Sequence, residues 1–320
     1  MTARVGLGLA ALGRPGYINL GHADDLGRSY GGDEMQRNAH EVLDAAWAGG
    51  VRHFDAARSY GEAEAFLGSW LEARRIPRDE VVVSSKWGYV YTAGWQVDAE
   101  RHEVKEHTLA VLRQQWRESR ARLDGRLAIY QIHSATIDSG VLDDRAVLAE
   151  LARLSAGGVT IGLSLSGPAQ AAALRKALAI AVDGAPLFGS VQATWNVLEP
   201  SCGAALADAR ARGWLVMVKE ALANGRLTPR NTAPSFSARM ALLEAEAARL
   251  ETTVDALAMA AALAQPWADV VLSGAARVDH LHSNLRARGV AWDGDAAARL
   301  APLAESAGDY WARRRRLAWN

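Results

Sequence analysis

Short apolar, β-rich runs alternate with longer amphipathic segments through most of the 320 residues. Seven such runs begin near residues 52, 81, 127, 159, 190, 215 and 269, and GLGLA near residue 6 adds an eighth. Their nearly continuous apolar character indicates strands that are buried on both faces, which is typical of parallel sheets. The intervening segments repeat apolar residues at helical spacing, as in LDDRAVLAELARL, where Asp143 or Asp144 can cap the helix start.

Eight strand–helix units in about 290 residues predict an α/β fold, namely a closed (β/α)8 TIM barrel. Residues 294–320 are left over and are expected to form a C-terminal accessory helical segment. The chain contains no linker, low-complexity tract or block of like charge. We therefore expect residues 1–320 to form a single domain.

The composition narrows the class of partner. Lysine plus arginine equals aspartate plus glutamate, at 36 each, so no net charge favours nucleic acid or an anionic membrane. A small-molecule ligand is expected, and the oligomeric state stays open. The single cysteine, Cys202, excludes an internal disulfide and a multi-cysteine metal site. The start lacks a long apolar run and no window reaches 18 apolar residues, so a cytoplasmic protein without membrane span or metal is expected.

Polar residues close most of the predicted strands. In a (β/α)8 barrel the catalytic groups lie at these carboxyl ends, which meet at one mouth. The closing residues are Asp55, Lys86, His133, Ser164, Trp195, Glu220 and Ser273. Because Tyr60 follows the second strand, a carboxylate, a phenol, an ammonium and an imidazole are expected to converge.

Those four side chains suit proton transfer to a carbonyl. A phenol with an ordinary pKa near 10 is a poor donor at neutral pH, and a neighbouring ammonium lowers that pKa. We expect Lys86 to do so for Tyr60, with Asp55 keeping Lys86 charged. His133 would donate a hydrogen bond to the substrate carbonyl. Alone, each residue also fits a structural role, as an ion pair, a rim tyrosine or a core histidine, but their joint placement favours catalysis.

Six motifs, FDAARSYGEAEAFLG, SSKWG, YQIHS, GLSLSG, VQATWN and VLSGAARVDHLHSNL, occur in order across roughly residues 4–290. Together they resemble the aldo-keto reductases. The resemblance implies a (β/α)8 barrel in which a tetrad, here Asp55, Tyr60, Lys86 and His133, assists hydride transfer between NADPH and a carbonyl.

The resemblance also implies residues that hold the cofactor. Trp195 matches the aromatic position on which the nicotinamide stacks, and Ser164 and Gln192 match groups that hold its carboxamide. The family's Ser-Asn is Ser164-Leu165 here, so one amide contact is missing. In KEALANGRL, Lys219 is a candidate phosphate ligand, Glu220 has no assigned role, and the backbone from Leu222 to Leu227, with Gly225, is expected to wrap the pyrophosphate.

After the eighth strand, SGAARVDHLHSNL is expected to aim a helix N-terminus at the adenosine phosphate. Arg277 would pair with a 2′-phosphate, and Asn284 would hold the adenine. Two positions depart from the family, where His280 and Ser283 replace an arginine and a glutamate. The remaining implied contact is Gly274. NADP(H) is therefore the expected cofactor, with NAD(H) possible.

Two loops are expected near the substrate. GLGLAALG is not a dinucleotide fingerprint, because Arg14-Pro15-Gly16 interrupts any following helix, and its loop is expected to line the pocket. Residues 86–106 form a long aromatic connection in which Trp87 and Tyr89 are candidate substrate contacts. The substrate is an aldehyde, ketone or sugar, or the corresponding alcohol.

Three functional hypotheses remain open. The first is an NAD(P)H-dependent oxidoreductase that acts on a small carbonyl or alcohol. The second is a non-catalytic NADP(H)-sensing barrel module, which the departures at Leu165 and Glu220 keep in play. The third is a lyase or isomerase that forms a Schiff base on Lys86, and Asp55 argues against it because it would keep the amine charged.

Overall fold

The computed structural model describes residues 4–27 and 30–320. Eight parallel strands close into a barrel, each paired with its neighbours in chain order and the eighth with the first. They are β1 (Arg4–Gly8), β2 (His53–Asp55), β3 (Val82–Trp87), β4 (Leu127–Ala135), β5 (Thr160–Leu165), β6 (Ser190–Thr194), β7 (Leu215–Lys219) and β8 (Val270–Ser273). The predicted (β/α)8 barrel and its eight strands are confirmed.

Helices surround the barrel and follow most of its strands. They are α1 (His22–Asp25), α2 (Gly32–Ala48), α3 (Ala63–Ala73), α4 (Leu109–Arg122), α5 (Arg145–Ala156), α6 (Gln170–Leu178), α7 (Gly203–Ala211), α8 (Ser237–Arg249), α9 (Val254–Leu263), α10 (Val278–Leu285), α11 (Gly294–Leu300) and α12 (Ala307–Arg314). Short 3-10 turns lie at Arg78–Glu80, Ile137–Ser139, Ala223–Gly225, Pro234–Phe236, Arg286–Gly289 and Ala301–Leu303.

Local chemistry explains the boundaries of α5. The Asp144 carboxylate accepts hydrogen bonds from the backbone N–H groups of Ala146 and Val147, at 3.0 and 3.1 Å, which satisfies donors that the first turn leaves free. Leu151 and Leu154 are buried against the barrel, as their spacing predicts. No helix in the described ranges is both long and apolar enough to cross a bilayer.

The barrel strands alternate between two environments. On β3, Ser84 and Lys86 face the barrel interior, where they meet Asp55, whereas Val83 and Trp87 pack in the large apolar cluster of the barrel wall and its helices. A smaller cluster of apolar side chains fills part of the interior, and its buried members are Ile129, Met217, Val270 and Leu272. The polar residues nearer the carboxyl ends therefore rest on a packed floor.

Two features lie outside the strand–helix repeat. Tyr89–Tyr91 pairs with Glu103–Lys105 as an antiparallel ribbon within the aromatic connection, and Ala181–Val182 pairs with Ala185–Pro186. Residues 294–320 form α11, a 3-10 turn and α12, as the predicted accessory segment requires. The last residue, Asn320, exchanges backbone hydrogen bonds with Tyr17 at 3.1 Å in both directions, which fixes the C-terminus beside the loop that follows β1.

Candidate active site

A cavity of about 690 Å³ opens at the carboxyl ends of the strands. It runs from the ends of β2 and β4, past β5, β6 and β7, to the loop after β8. The side chains that close or follow these strands and line it include Asp55, Tyr60, His133, Ser164, Gln192, Lys219, Glu220 and Ser273. The loop after β1 also lines it, through Ala10, Ala11, Arg14 and Tyr17, as predicted.

The Asp55 carboxylate and the Lys86 ammonium form a buried ion pair at the floor of this cavity. Lys86 Nζ also donates to the backbone oxygen of Ala56 at 2.9 Å. The second Asp55 oxygen accepts from Ser84 Oγ at 2.7 Å and from Gln131 Nε2 at 3.2 Å. Lys86 Nζ is thus buried and engaged by two acceptors, which disfavours a Schiff base on this nitrogen.

Tyr60 and His133 lie above that pair. Tyr60 Oη is 3.4 Å from His133 Nε2, and Lys86 Nζ lies 4.9 Å from the centre of the Tyr60 ring. The His133 ring is also 4.8 Å from the ring of Tyr89, a predicted substrate contact that lines the cavity. The structure therefore brings together the four side chains expected at the mouth, with one hydroxyl and one imidazole nitrogen facing each other.

Burial controls the protonation of both groups. It raises the pKa of Tyr60, as does the Asp55 carboxylate, while Arg14 opposes the shift. The net direction is opposite to the lowering expected from Lys86, because burial penalises the phenolate more than the nearby cations favour it. Burial and the cations Lys86 and Arg14 hold the pKa of His133 well below its ordinary value. At neutral pH the site thus holds a protonated phenol beside a neutral imidazole.

A free amide faces the middle of the cavity. Gln192 is 1% exposed, and its Nε2 atom has no hydrogen-bond partner within residues 4–27 and 30–320. Because a buried, unpaired N–H group is costly, this donor fits a ligand oxygen such as that of a carboxamide. Ser164 lies on the neighbouring strand, where its Oγ accepts from the Ser134 backbone N–H at 2.8 Å.

Two predicted aromatic contacts face away from the cavity. Trp195 packs edge-on against Trp267, with ring centres 5.7 Å apart, and Trp87 is fully buried against His107. Neither is among the residues that line the cavity, and nicotinamide stacking on Trp195 and substrate contact by Trp87 stay predictions. Trp87 directly follows the inward-facing Lys86 on β3, so strand alternation directs it outward, whereas Trp195 lies one position beyond the end of β6.

Lys219 and Glu220 close β7 beside the tetrad. Lys219 Nζ donates to Thr194 Oγ1 at 2.9 Å, and burial lowers its pKa to about 8. Glu220 accepts from Arg314 Nε at 2.8 Å. Burial alone would raise the pKa of Glu220, but Arg314 and Lys219 together lower it to about 2. Glu220 therefore acquires a role that its position in the sequence left open, as the anchor of α12.

We expect Glu220→Gln to flatten the dependence of stability on acid pH. Because its folded pKa lies below the ordinary value of 4.5, the ionised Glu220 contributes stability above about pH 5, and this is lost as the pH falls towards 2. Denaturant unfolding between pH 7 and pH 3 should show a smaller fall in the free energy of unfolding for the variant. Exposed Glu244→Gln is the control, and equal slopes for the two variants would contradict the assignment.

The far end of the cavity accommodates a larger ligand. Leu222, Gly225 and Gly274 line it, and a Cβ placed on Gly274 would meet nothing within 4 Å. Leu227 is fully buried and packs below this wall. Asn284 also lines the cavity and donates to Ser273 Oγ at 2.8 Å. The backbone is therefore open to a ligand at Gly274, whereas a Cβ placed on Gly225 would come within 3.0 Å of Leu20.

The charged groups at this end differ from the expectation. Arg277 is about half exposed, pairs with Asp279 at 2.9 Å and is not among the lining residues, so its contact with a 2′-phosphate stays a prediction. Arg230, which sequence reasoning missed, lines the wall instead, contacts the Asp25 carboxylate and lies 3.3 Å from His280 Nε2. Its partner Asp25 is 205 positions away in the chain, and no local pattern reports such a pair.

Comparisons with known proteins match most of the chain. The model of the family described as the aldo/keto reductase family matches residues 18–305. An 89-residue segment, 27% of the chain, is 43% identical to a segment of a D-threo-aldose 1-dehydrogenase from a Pseudomonas species. The match covers 24% of the length of that relative. An aldo-keto reductase from Bacillus halodurans in its holo form superposes with a TM-score of 0.71 at 18% identity, covering 95% of this chain and 93% of that one. A glycerol dehydrogenase from Gluconobacter oxydans superposes with a TM-score of 0.72 at 21% identity, covering 94% and 91%.

Proposed function

Since this chain belongs to the aldo/keto reductase family, we propose that it is an oxidoreductase that transfers a hydride between a nicotinamide dinucleotide and a small carbonyl or alcohol substrate. The observation that carries the proposal is the convergence of Tyr60, His133 and the Asp55–Lys86 pair beside the unpaired Gln192 amide. A proton donor and a carboxamide-binding group within one cavity match the two halves of such a reaction.

The bound nicotinamide would supply or accept the hydride, and the protein would handle the proton. In the reducing direction Tyr60 Oη gives its proton to the carbonyl oxygen as the carbon gains the hydride, and an alcohol results. His133, neutral, holds the carbonyl oxygen through an imidazole N–H and so sets the angle of approach. Arg14 and Lys86 are the two cations near the Tyr60 ring, and they stabilise the phenolate that remains until solvent returns a proton.

Binding and turnover test this proposal together. The 11 tryptophans allow NADPH and NADH to be titrated by fluorescence quenching, and absorbance of the reduced nicotinamide follows turnover with a panel of aldehydes, ketones and sugars. We expect saturable binding and substrate-dependent oxidation of the bound dinucleotide. Binding without turnover would favour the alternative, a non-catalytic NADP(H)-sensing module.

For the cofactor we propose NADP(H), with NAD(H) as the alternative. Arg230 and His280 line the far end of the cavity and would favour a 2′-phosphate there, whereas the Asp25 carboxylate beside them would oppose one. Its carboxylate is 7% exposed, so solvent screens it weakly. Preference between the two dinucleotides therefore depends on the balance between Arg230 and Asp25.

A cytoplasmic location stays a prediction from the single cysteine.

We expect Asp25→Asn to raise the ratio of the NADH to the NADPH dissociation constant by about tenfold relative to the unmodified protein. The substitution removes a carboxylate that repels a 2′-phosphate, and it frees Arg230 from its competing partner. Fluorescence titration with both dinucleotides measures the ratio of dissociation constants. Asp24→Asn, at an exposed neighbouring position outside the cavity wall, is the matched control. A ratio that both variants leave unchanged would remove Asp25 from the specificity site.

A further inference from the structure

Arg14 is buried beside the proposed proton donor. Its side chain is 2% exposed, and the guanidinium carbon lies 5.1 Å from the centre of the Tyr60 ring. It also lies 5.2 Å from the Tyr17 ring and 4.8 Å from the Trp319 ring. All four residues line the cavity, so a charged group sits among aromatic faces at the substrate side of the tetrad.

The backbone holds Arg14 rigidly in this position. Gly13 packs so closely on the Tyr60 segment that a Cβ would come within 2.2 Å of the Tyr60 carbonyl oxygen. The Gly13 carbonyl in turn accepts a hydrogen bond from the Glu62 N–H at 2.8 Å. Arg14 Nη1 donates to the Ser59 carbonyl oxygen at 3.0 Å. The guanidinium is therefore fixed relative to Tyr60 before any ligand arrives.

Glu103 balances the charge of Arg14 through a direct ion pair. Its Oε2 atom accepts from Arg14 Nη1 at 2.8 Å, and its side chain is 23% exposed and lines the cavity. Arg14 Nε is buried and has no hydrogen-bond partner within the described ranges. One wall of the substrate space thus presents the partly exposed Glu103 carboxylate beside the buried Arg14 guanidinium with which it is paired.

From these contacts, and resting on the proposed function, we propose that the Arg14–Glu103 pair recognises hydroxyl groups adjacent to the reacting carbon, so that the substrate is a hydroxyaldehyde, sugar or polyol. A hydroxyl both donates and accepts, which matches a neutral ion pair better than it matches a lone cation. A substrate carboxylate would be attracted by Arg14 and repelled by Glu103. The flanking faces of Tyr17 and Trp319 suit the C–H groups of such a molecule.

Two three-carbon aldehydes that differ only in hydroxyl groups, glyceraldehyde and propanal, test the proposal. We expect kcat/KM with the preferred reduced dinucleotide to be about a hundredfold higher for glyceraldehyde, because propanal leaves the pair without its partners. Glu103→Gln should lower the ratio of the two kcat/KM values at least tenfold. Glu100→Gln, an exposed position in the same connection, is the control and should keep the wild-type ratio.

The possible outcomes separate the two proposals. Equal kcat/KM values for the two aldehydes, or a parallel fall for both in Glu103→Gln, would overturn hydroxyl recognition and leave the oxidoreductase proposal standing. Failure of the unmodified protein to reduce either aldehyde with either dinucleotide would overturn hydroxyl recognition, and the wider panel of aldehydes, ketones and sugars would then decide the oxidoreductase proposal. A selective loss of glyceraldehyde reduction, with propanal retained, supports the assignment, since a purely structural role for the pair would not distinguish the substrates.

Discussion

Replacing Tyr60 with phenylalanine is expected to lower kcat for carbonyl reduction by roughly 10³-fold while the dissociation constant for the dinucleotide stays within about twofold. The substitution removes one hydroxyl and keeps the ring that packs near Arg14 and Lys86. Because burial keeps this phenol protonated, its hydroxyl is the group positioned to give a proton to a carbonyl oxygen near His133. Single-turnover measurements with the reduced dinucleotide would separate the chemical step from product release.

Tyr91→Phe is the matched control for this experiment. The Tyr91 hydroxyl is buried without a hydrogen-bond partner in the described ranges, and the residue is not among those that line the cavity. Its removal should leave kcat near that of the unmodified protein. If Tyr60→Phe and Tyr91→Phe retain equal activity, Tyr60 is not the acid, and the proton must come from another group.

The second large effect is expected at the floor of the site. Lys86→Met should lower the free energy of unfolding by about 3–5 kcal/mol, because it leaves the buried Asp55 carboxylate without its cation. The two side chains are 0% and 3% exposed, so water cannot replace the lost partner. Denaturant unfolding followed by tryptophan fluorescence measures the change, and activity should fall with the loss of the cation below the Tyr60 ring.

Two further variants make that prediction specific. Lys176→Met breaks an exposed ion pair in which the side chains of Lys176 and Asp143 are 34% and 62% exposed. It should lower the free energy of unfolding by less than about 1 kcal/mol. The double variant Lys86→Met with Asp55→Leu removes both buried charges and should recover part of the lost stability. If Lys86→Met lowers the free energy of unfolding no more than Lys176→Met does, the buried ion pair does not stabilise the fold.

Much of the fold and the reacting end of the cavity was predictable from the sequence. Apolar runs at regular spacing predict eight parallel strands, and the strands occur where expected because each run is buried on both faces. Asp55, Lys86 and His133 converge because residues at the carboxyl ends of neighbouring parallel strands share one mouth. Tyr60 joins them because it follows β2 by a short turn.

Two aromatic residues that the resemblance placed at the ligand do not line the cavity. Gln192 faces the cavity, whereas Trp195 follows the last residue of β6 and packs against Trp267. Trp87 follows the inward-facing Lys86 directly and packs outward because side chains alternate along a strand. A matching motif shows which residues are adjacent in the chain. The alternation of side chains along a strand decides which of these residues face a ligand.

By itself, the sequence determined the barrel, its strands and the four groups at its mouth, because these follow from patterns of period two and 3.6 and from the order of the strands. Only the tertiary structure decided which long-range charges meet. Arg314 reaches Glu220 across 94 positions and Arg14 reaches Glu103 across 89. Such pairs depend on how separate loops pack over the barrel mouth. A local sequence pattern does not predict contacts between residues so far apart in the chain. The same packing sets protonation, since burial, rather than the neighbouring Lys86 ammonium, fixes the direction of the Tyr60 pKa.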